Sequence, residues 1–455
     1  MQNIKFTGYS LFFTALFIES VLLFLLAPRY FHYEFNLFCM LQYLASSFLF
    51  LKAKKKKNYF DFDVIFMFTF FFVMFFYPVF MFESDPTKYF AFQYEFNEDV
   101  ISRATALSLL GMQSYFLGSL TFRGNKDSEL IKTKIYNNIT SLSIISAISF
   151  FLYIISGGYA KLASAYSGED VADASGASTY LWAFTPAFLF CALAFQFNNL
   201  YVINRYKFQI GKLNKLLVIY TIVFVGLILL AGSRTFPLQI ILICYGLYTL
   251  FYKPISFMKF IPLVVIGISA MFAINLMRGG GEISDLADIV MDLIICNRNT
   301  YVAVDYVDVS GITFGKSMLA IILSPIPLMQ SIVFWIFSIN PSDASSGNLI
   351  TKISLGVEDS ALGLGTNIIA DLYMSFGMIG VILFMFLLGR YIAKFLHLAK
   401  SNMYALIAYS VMISYSVFLV RAEFFFFSRY LVWGLFFVFC AEIYNNSKKS
   451  KSVAI

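Results

Sequence analysis

The chain has 455 residues, of which 60% are hydrophobic and 13% charged, with a mean hydropathy of +0.76. A soluble globular chain is roughly 45–50% apolar and about 25% charged, so the composition excludes an ordinary soluble enzyme and reads as an all-α integral membrane protein. The formal net charge of +7 is not a nucleic-acid signal, because the basic residues are segregated loop by loop along the chain.

Taken in chain order, apolar runs near 8–27, 35–51, 64–82, 100–122, 139–156, 179–196, 216–232, 235–252, 256–276, 367–389, 403–420 and 426–444 predict about twelve transmembrane helices. A helix needs about 20 apolar residues to cross the hydrocarbon. Backbone in lipid must satisfy its own hydrogen bonds, and these runs do not alternate as barrel strands would. The first run, Thr7 to Ala27, reads as a span that also serves as the targeting signal. No repeat of 20–50 residues is visible.

Orientation follows from Lys and Arg in the short loops. Placing the run Lys52 to Lys57 in the cytoplasm and alternating the spans puts 22 of the 33 basic residues inside, and about 20 of the 26 acidic residues outside. Both termini then lie in the cytoplasm, and the expected location is the bacterial inner membrane. Three segments result: 1–277 with spans one to nine, 278–365 as one large periplasmic loop, and 366–455 with spans ten to twelve and the tail. Inside the loop, Met318 to Phe337 is apolar but broken by Pro325 and Pro327. Crossing there would move Arg390, Lys394, Lys400 and the Lys448 tail outside, so the segment reads as interfacial or re-entrant.

The two sides differ in the kind of cation they carry. The inside has 19 Lys and 3 Arg; the outside has 4 Lys and 7 Arg, namely Arg29, Arg103, Arg234, Arg278, Arg298, Arg421 and Arg429. Topology needs only charge, whereas Arg adds a planar fork suited to phosphate and carboxylate. The plainer reading is that such arginines snorkel to headgroups or pair with outer acids.

Four local patterns stand out. Gly232-Ser233-Arg234-Thr235-Phe236-Pro237 joins two spans with almost no loop and aims Arg234 and a helix N-terminus the same way. Arg278-Gly279-Gly280-Gly281 releases the chain into the large loop, or simply caps a helix. Gly363-Leu364-Gly365-Thr366-Asn367 offers a cap to span ten, with Asp371 one turn further in. An acid there either answers the helix dipole or has a catalytic role. Arg421-Ala422-Glu423 and Ser428-Arg429 mark the last outer turn, and a continuous helix would put the two arginines on similar faces. A buried pair between Glu19 and Arg103 is a further expectation. The five cysteines (Cys39, Cys191, Cys244, Cys296, Cys440) and two histidines (His32, His397) are scattered, so neither a disulfide framework nor a metal site is expected.

In architecture, and in Gly232-Ser233-Arg234, Ala370-Asp371-Leu372-Tyr373, Phe376-Gly377-Met378-Ile379-Gly380 and the pair Arg421 and Arg429, the chain resembles the Wzy-type O-antigen polymerases, or oligosaccharide repeat-unit polymerases. Some relatives carry Glu where this chain has Asp371. The resemblance implies a glycosyltransferase that moves a growing glycan from undecaprenyl pyrophosphate onto the incoming lipid-linked repeat unit at the periplasmic face. It implies undecaprenyl-pyrophosphate-linked oligosaccharides and the bilayer as partners, with a chain-length regulator as a further one, and no metal or other cofactor. Asp371 and Glu423 are then the candidates for general base. Arg234, Arg278, Arg298, Arg421 and Arg429 are the candidates for pyrophosphate and glycan contacts. A lipid-linked oligosaccharide flippase would be expected to show two equivalent halves, which are not seen. An O-antigen ligase is the mechanistically closer rival.

Overall fold

The computed structural model describes residues 2–82, 90–124, 134–167, 176–204, 207–277, 294–357 and 363–453. These form helices and no strand. In chain order they are α1 Gln2–Leu25, α2 Tyr33–Ala53, α3 Phe62–Met74, α4 Ile101–Thr121, α5 Ile139–Ile155, α6 Gly158–Ser167 and α7 Gly176–Ile203. There follow α8 Lys215–Leu230, α9 Thr235–Phe251, α10 Phe257–Met277, α11 Arg298–Ser310, α12 Leu319–Leu323, α13 Met329–Phe337, α14 Ser346–Leu355, α15 Ile368–Leu398, α16 Met403–Ser414 and α17 Ser428–Val453.

Sequence chemistry starts these helices where polar side chains can hold the first amide groups. Asp61, Asn214, Ser345, Asn367 and Asn402 cap α3, α8, α14, α15 and α16 by accepting from backbone N–H groups of the first turn. Large apolar side chains such as Leu11, Ile18, Leu22, Ile148, Ile219, Ile222 and Ile379 remain exposed on helix flanks, as a lipid-facing surface requires.

The protein is a polytopic membrane protein, but the expected count of about twelve spans is not reproduced by helix length and hydropathy. Among the described residues, five helices are long and apolar enough to cross, at Gly8–Leu25, Tyr33–Ala53, Phe62–Met81, Gly176–Ile203 and Ile368–Leu398. Counting the pair α5–α6, bent by 70°, adds a sixth. All twelve expected windows fall on helices. Several are short, however: α16 has 12 residues, about 18 Å of rise against a hydrocarbon core of about 30 Å. The expected interfacial segment is two short helices, α12 and α13, of 5 and 9 residues. Trp335, Ile336 and Phe337 are exposed on the second.

The closest helix pair is α4 with α15. A Cβ on Gly118 would overlap the carbonyl of Phe386, and one on Gly389 would overlap the carbonyl of Tyr115. Backbones can approach this far only where the side chain is a hydrogen. Gly111 meets Ile369 and Val381, and Gly124 meets His397, so the two helices run parallel. One end of the pair carries Arg103 and Asp371; the other carries Arg123 and His397.

Part of the lysine run is structural. Lys54 Nζ lies 3.0 Å and Lys56 Nζ 2.6 Å from Asp63 Oδ2, and Lys56 also pairs with Asp61. Tyr115 of α4 donates to Asp63 Oδ1 at 2.5 Å. This buried knot ties the α2–α3 turn to α4. Glu19 accepts from Gln42 at 3.1 Å, while Arg103 pairs bidentately with Asp308. The expected Glu19–Arg103 pair is therefore not formed, because each has a nearer partner on its own side.

Gly118→Ala and Gly389→Ala are each expected to destabilise the protein by about 1–3 kcal/mol through overpacking. The measurement is thermal unfolding in detergent, with Gly226→Ala, where nothing lies within 4 Å, as an unaffected control.

Candidate active site

At the end of the molecule opposite the lysine run, the chain from 294 to 315 is laced onto the start of α15. The Asn367 side chain accepts from Ile369 N and Ala370 N at 3.1 and 2.9 Å and donates to Cys296 O and Thr300 Oγ1 at 2.7 and 2.8 Å. One asparagine thus caps the helix and binds the neighbouring segment. Nearly three turns further, α15 breaks at Gly377, whose φ of 63° and ψ of −157° lie outside the helical region and suit only glycine. The break frees the Met374 and Ser375 carbonyls, which accept from Thr313 N and Gly315 N at 2.8 and 3.1 Å.

Asp371 sits in the first turn of this half-helix and is fully buried. Its Oδ2 accepts from Phe424 N at 2.8 Å. Its Oδ1 and the Ser346 Oγ it faces are both buried, and neither has a partner at hydrogen-bonding geometry. Glu423 lies beside Asp371, close enough for the two carboxylates to repel. Its Oε1 accepts from Ser345 Oγ at 2.6 Å, and its carboxylate also accepts from the backbone N–H groups of Ser346 and Gly347. A carboxylate at the start of α14 answers the helix dipole and its open amide groups. Burial nevertheless raises the Glu423 carboxyl above its ordinary range, against the hydrogen bonds from Ser345, Gly347 and Ser346 that lower it.

These two acids pull the chain between Arg421 and Arg429 out of a helix. Leu419–Arg421 is one 3-10 turn, Ala422 is extended, and α17 starts only at Ser428. The expectation that one continuous helix aligns the two arginines is therefore corrected: Asp371 and the α14 N-terminus hold residues 423 and 424 instead.

The arginines differ in what they do. Arg429 donates from Nε to Ser324 O at 3.1 Å, and Trp433 Nε1 donates to Pro325 O at 2.7 Å, so α17 grips the turn between α12 and α13. The Arg421 and Arg234 side chains are half-buried and make no hydrogen bond or ion pair among the described residues. Arg234 precedes α9, whose Gln239 faces Tyr415 beside Arg429, so both lie at the same end as the acids. Arg298 is 0% exposed. Its Nε, Nη1 and Nη2 donate to Tyr94 O, Ser354 Oγ and Glu95 O at 3.1, 3.0 and 2.8 Å, and its guanidinium lies over Phe96. Burial lowers its pKa to about 10, which leaves it charged at neutral pH. Ser354 and Ser345 are at opposite ends of α14, about 13 Å apart along the helix, so Arg298 stands away from the acid pair. Arg278 lies outside the described residues.

Sequence reasoning missed Ser345 and Ser346, although Ser345-Ser346-Gly347-Asn348 carries an N-cap signal. Among the described residues no group of three or more His, Cys, Asp or Glu is placed to hold a metal ion.

A lipid-facing helical scaffold with paired acids and unpaired arginines at one end defines a multi-pass membrane protein with an anion-suited site. The chain matches the family of the O-antigen polysaccharide polymerase Wzy over residues 9–451, nearly its whole length, and it belongs to that family. No curated protein and no solved structure matches it.

Arg298→Ala is expected to strip the Tyr94 and Glu95 carbonyls of their donors and cost about 1.5–3 kcal/mol. The check is a lowered thermal midpoint and lower protein level, with Arg298→Lys restoring only part, since an ammonium cannot span three divergent acceptors.

Proposed function

We propose that this Wzy-family membrane glycosyltransferase polymerises surface polysaccharide by moving a growing glycan from undecaprenyl pyrophosphate onto the incoming lipid-linked repeat unit. The observation that carries the reading is the meeting, at one end of the helices, of the Asp371–Glu423 pair with arginines that have no side-chain partner among the described residues. We place that end at the periplasmic face of the inner membrane and both termini in the cytoplasm. Twelve crossings then require the shorter helices to span alongside the five long ones.

In the reaction, the acceptor hydroxyl gives its proton to a carboxylate as its oxygen bonds to the donor's anomeric carbon. The bond from that carbon to the pyrophosphate breaks, and the pyrophosphate leaves with the electron pair. Glu423 is the better base, because it is only partly buried, whereas Asp371 is sealed. Asp371 acts as a positioning residue: it holds Phe424 N and so sets where Glu423 stands. Arg234 and Arg421, with the free edge of Arg429, stabilise charge on the departing pyrophosphate. The chemistry needs no metal: fixed cations supply the charge stabilisation. A chain-length regulator remains a proposed partner.

In cells, Glu423→Gln is expected to lower polymerisation by about 10²–10⁴-fold. Arg234→Ala and Arg421→Ala are expected to shorten chains strongly, and their Lys variants to recover part. The readout is the glycan length profile at matched protein level: single repeat units on the acceptor support a polymerase, and a bare acceptor points to a ligase. Normal long chains in all three variants would sink the proposal.

The base must be ionised, so the rate should rise with pH through the raised Glu423 pKa. Ser345→Ala removes a hydrogen bond to the ionised form and raises that pKa further. The acid limb of the rate profile in proteoliposomes is therefore expected to move to higher pH. An unchanged limb with an otherwise active enzyme would exclude Glu423 as the titrating base.

A further inference from the structure

A cavity of about 1430 Å³ opens at the lysine-rich end, away from the acid pair. It lies where the α2–α3 turn meets the ends of α4, α9 and α15, and three observations bear on what fills it.

The first is its charge. Lys54 and Lys56 are neutralised by Asp63 and Asp61. Lys52, Lys55, Lys57, Arg123 and Lys400 also line the cavity, and none has a carboxylate partner among the described residues. The buried knot anchors the turn that carries Lys52, Lys55 and Lys57, so these three project from a fixed frame. Topology signalling requires no such frame.

The second is a pair of unpartnered polar groups in the wall. Ser119 Oγ, on a residue 2% exposed, and Tyr252 Oη are buried and have no hydrogen-bond partner among the described residues. Both residues line the cavity. Buried hydroxyls are nearly always satisfied, so two together call for acceptors from a ligand. The third is the apolar remainder of the wall, which includes Leu120, Phe122, Phe251 and Leu396. Cations and hydroxyl donors beside an apolar surface suit an anion attached to a hydrocarbon.

We propose that this cavity binds a phosphate-bearing ligand, its phosphate held by Lys52, Lys55, Lys57, Arg123 and Lys400 and by the Ser119 and Tyr252 hydroxyls. The shared chemistry is a phosphate mono- or diester, carried by a lipid headgroup or by a soluble phosphate. The site is independent of the polymerase reading, because it shares no residue with the acid pair.

The test uses the full chain purified in neutral detergent. Phosphatidic acid, phosphatidylglycerol, phosphatidylcholine and sodium pyrophosphate are added separately, and retention by native mass spectrometry and the thermal midpoint are measured. The comparison is the triple variant K55Q/K57Q/R123Q. All three side chains are exposed and without ion-pair partners among the described residues, so the fold is kept, as an unchanged elution volume would verify. Phosphatidic acid or phosphatidylglycerol, but not phosphatidylcholine, is expected to stabilise the wild type, with binding on the order of a hundredfold weaker in the variant. Ser119→Ala should weaken it less, and K55R/K57R should retain it. Protection by pyrophosphate as strong as by the anionic lipids would assign the site to a soluble phosphate. Equal binding of phosphatidylcholine, or equal anion binding by the triple variant, would overturn the proposal.

Discussion

The contact on which the arrangement depends is the parallel packing of α4 against α15 through Gly118 and Gly389. With each glycine lying against the other helix's backbone, the two helices cannot slide without a clash. Their parallel course separates two chemistries by the length of a span. Arg103 and Asp371 stand at one end, Arg123 and His397 at the other. The segment from 294 to 315 is bound to this pair by Asn367 and by the carbonyls freed at Gly377. Residues 294–315 are therefore part of the helical body and not an appendage to it.

That attachment explains how distant stretches of sequence build one site. Glu423 belongs to the turn before the last helix, yet its partners are Ser345, Ser346 and Gly347 of the loop. Asp371 belongs to α15, yet its partner is Phe424 N. Two carboxylates thus join the loop, the kinked helix and the final turn. Any movement of Ser345 would reach Glu423 directly through their hydrogen bond.

The two ends handle charge differently. At the lysine end, two cations are buried against two carboxylates, a costly arrangement unless geometry is good, and here each ammonium lies within about 3 Å of a carboxylate oxygen. Among the described residues, the cations around them have no such partners. At the arginine end, Arg103 and Arg298 are committed to structure, and Arg421 and Arg234 are not. Residue type alone did not separate these roles. Arg298 and Arg421 both look like outer arginines in the sequence, and only the positions of Tyr94, Glu95 and Ser354 show that the first is a clamp.

Composition and the length of the apolar runs were enough to read a many-helix membrane protein, because lipid leaves the backbone no alternative to helix. Local caps such as Asn367 were equally readable, since a cap bonds within its own first turn. The Asp371 and Glu423 candidates came from their placement at helix ends. Their proximity, and the unwinding from 422 to 427, came only from the fold, because it depends on contacts between residues more than 50 positions apart. The same reason hid the knot in the lysine run. A charge count sees six neighbouring residues at a membrane edge, whereas the packing of α3 and α4 decides which ammonium groups are buried against Asp61 and Asp63 and which stay open to the cavity.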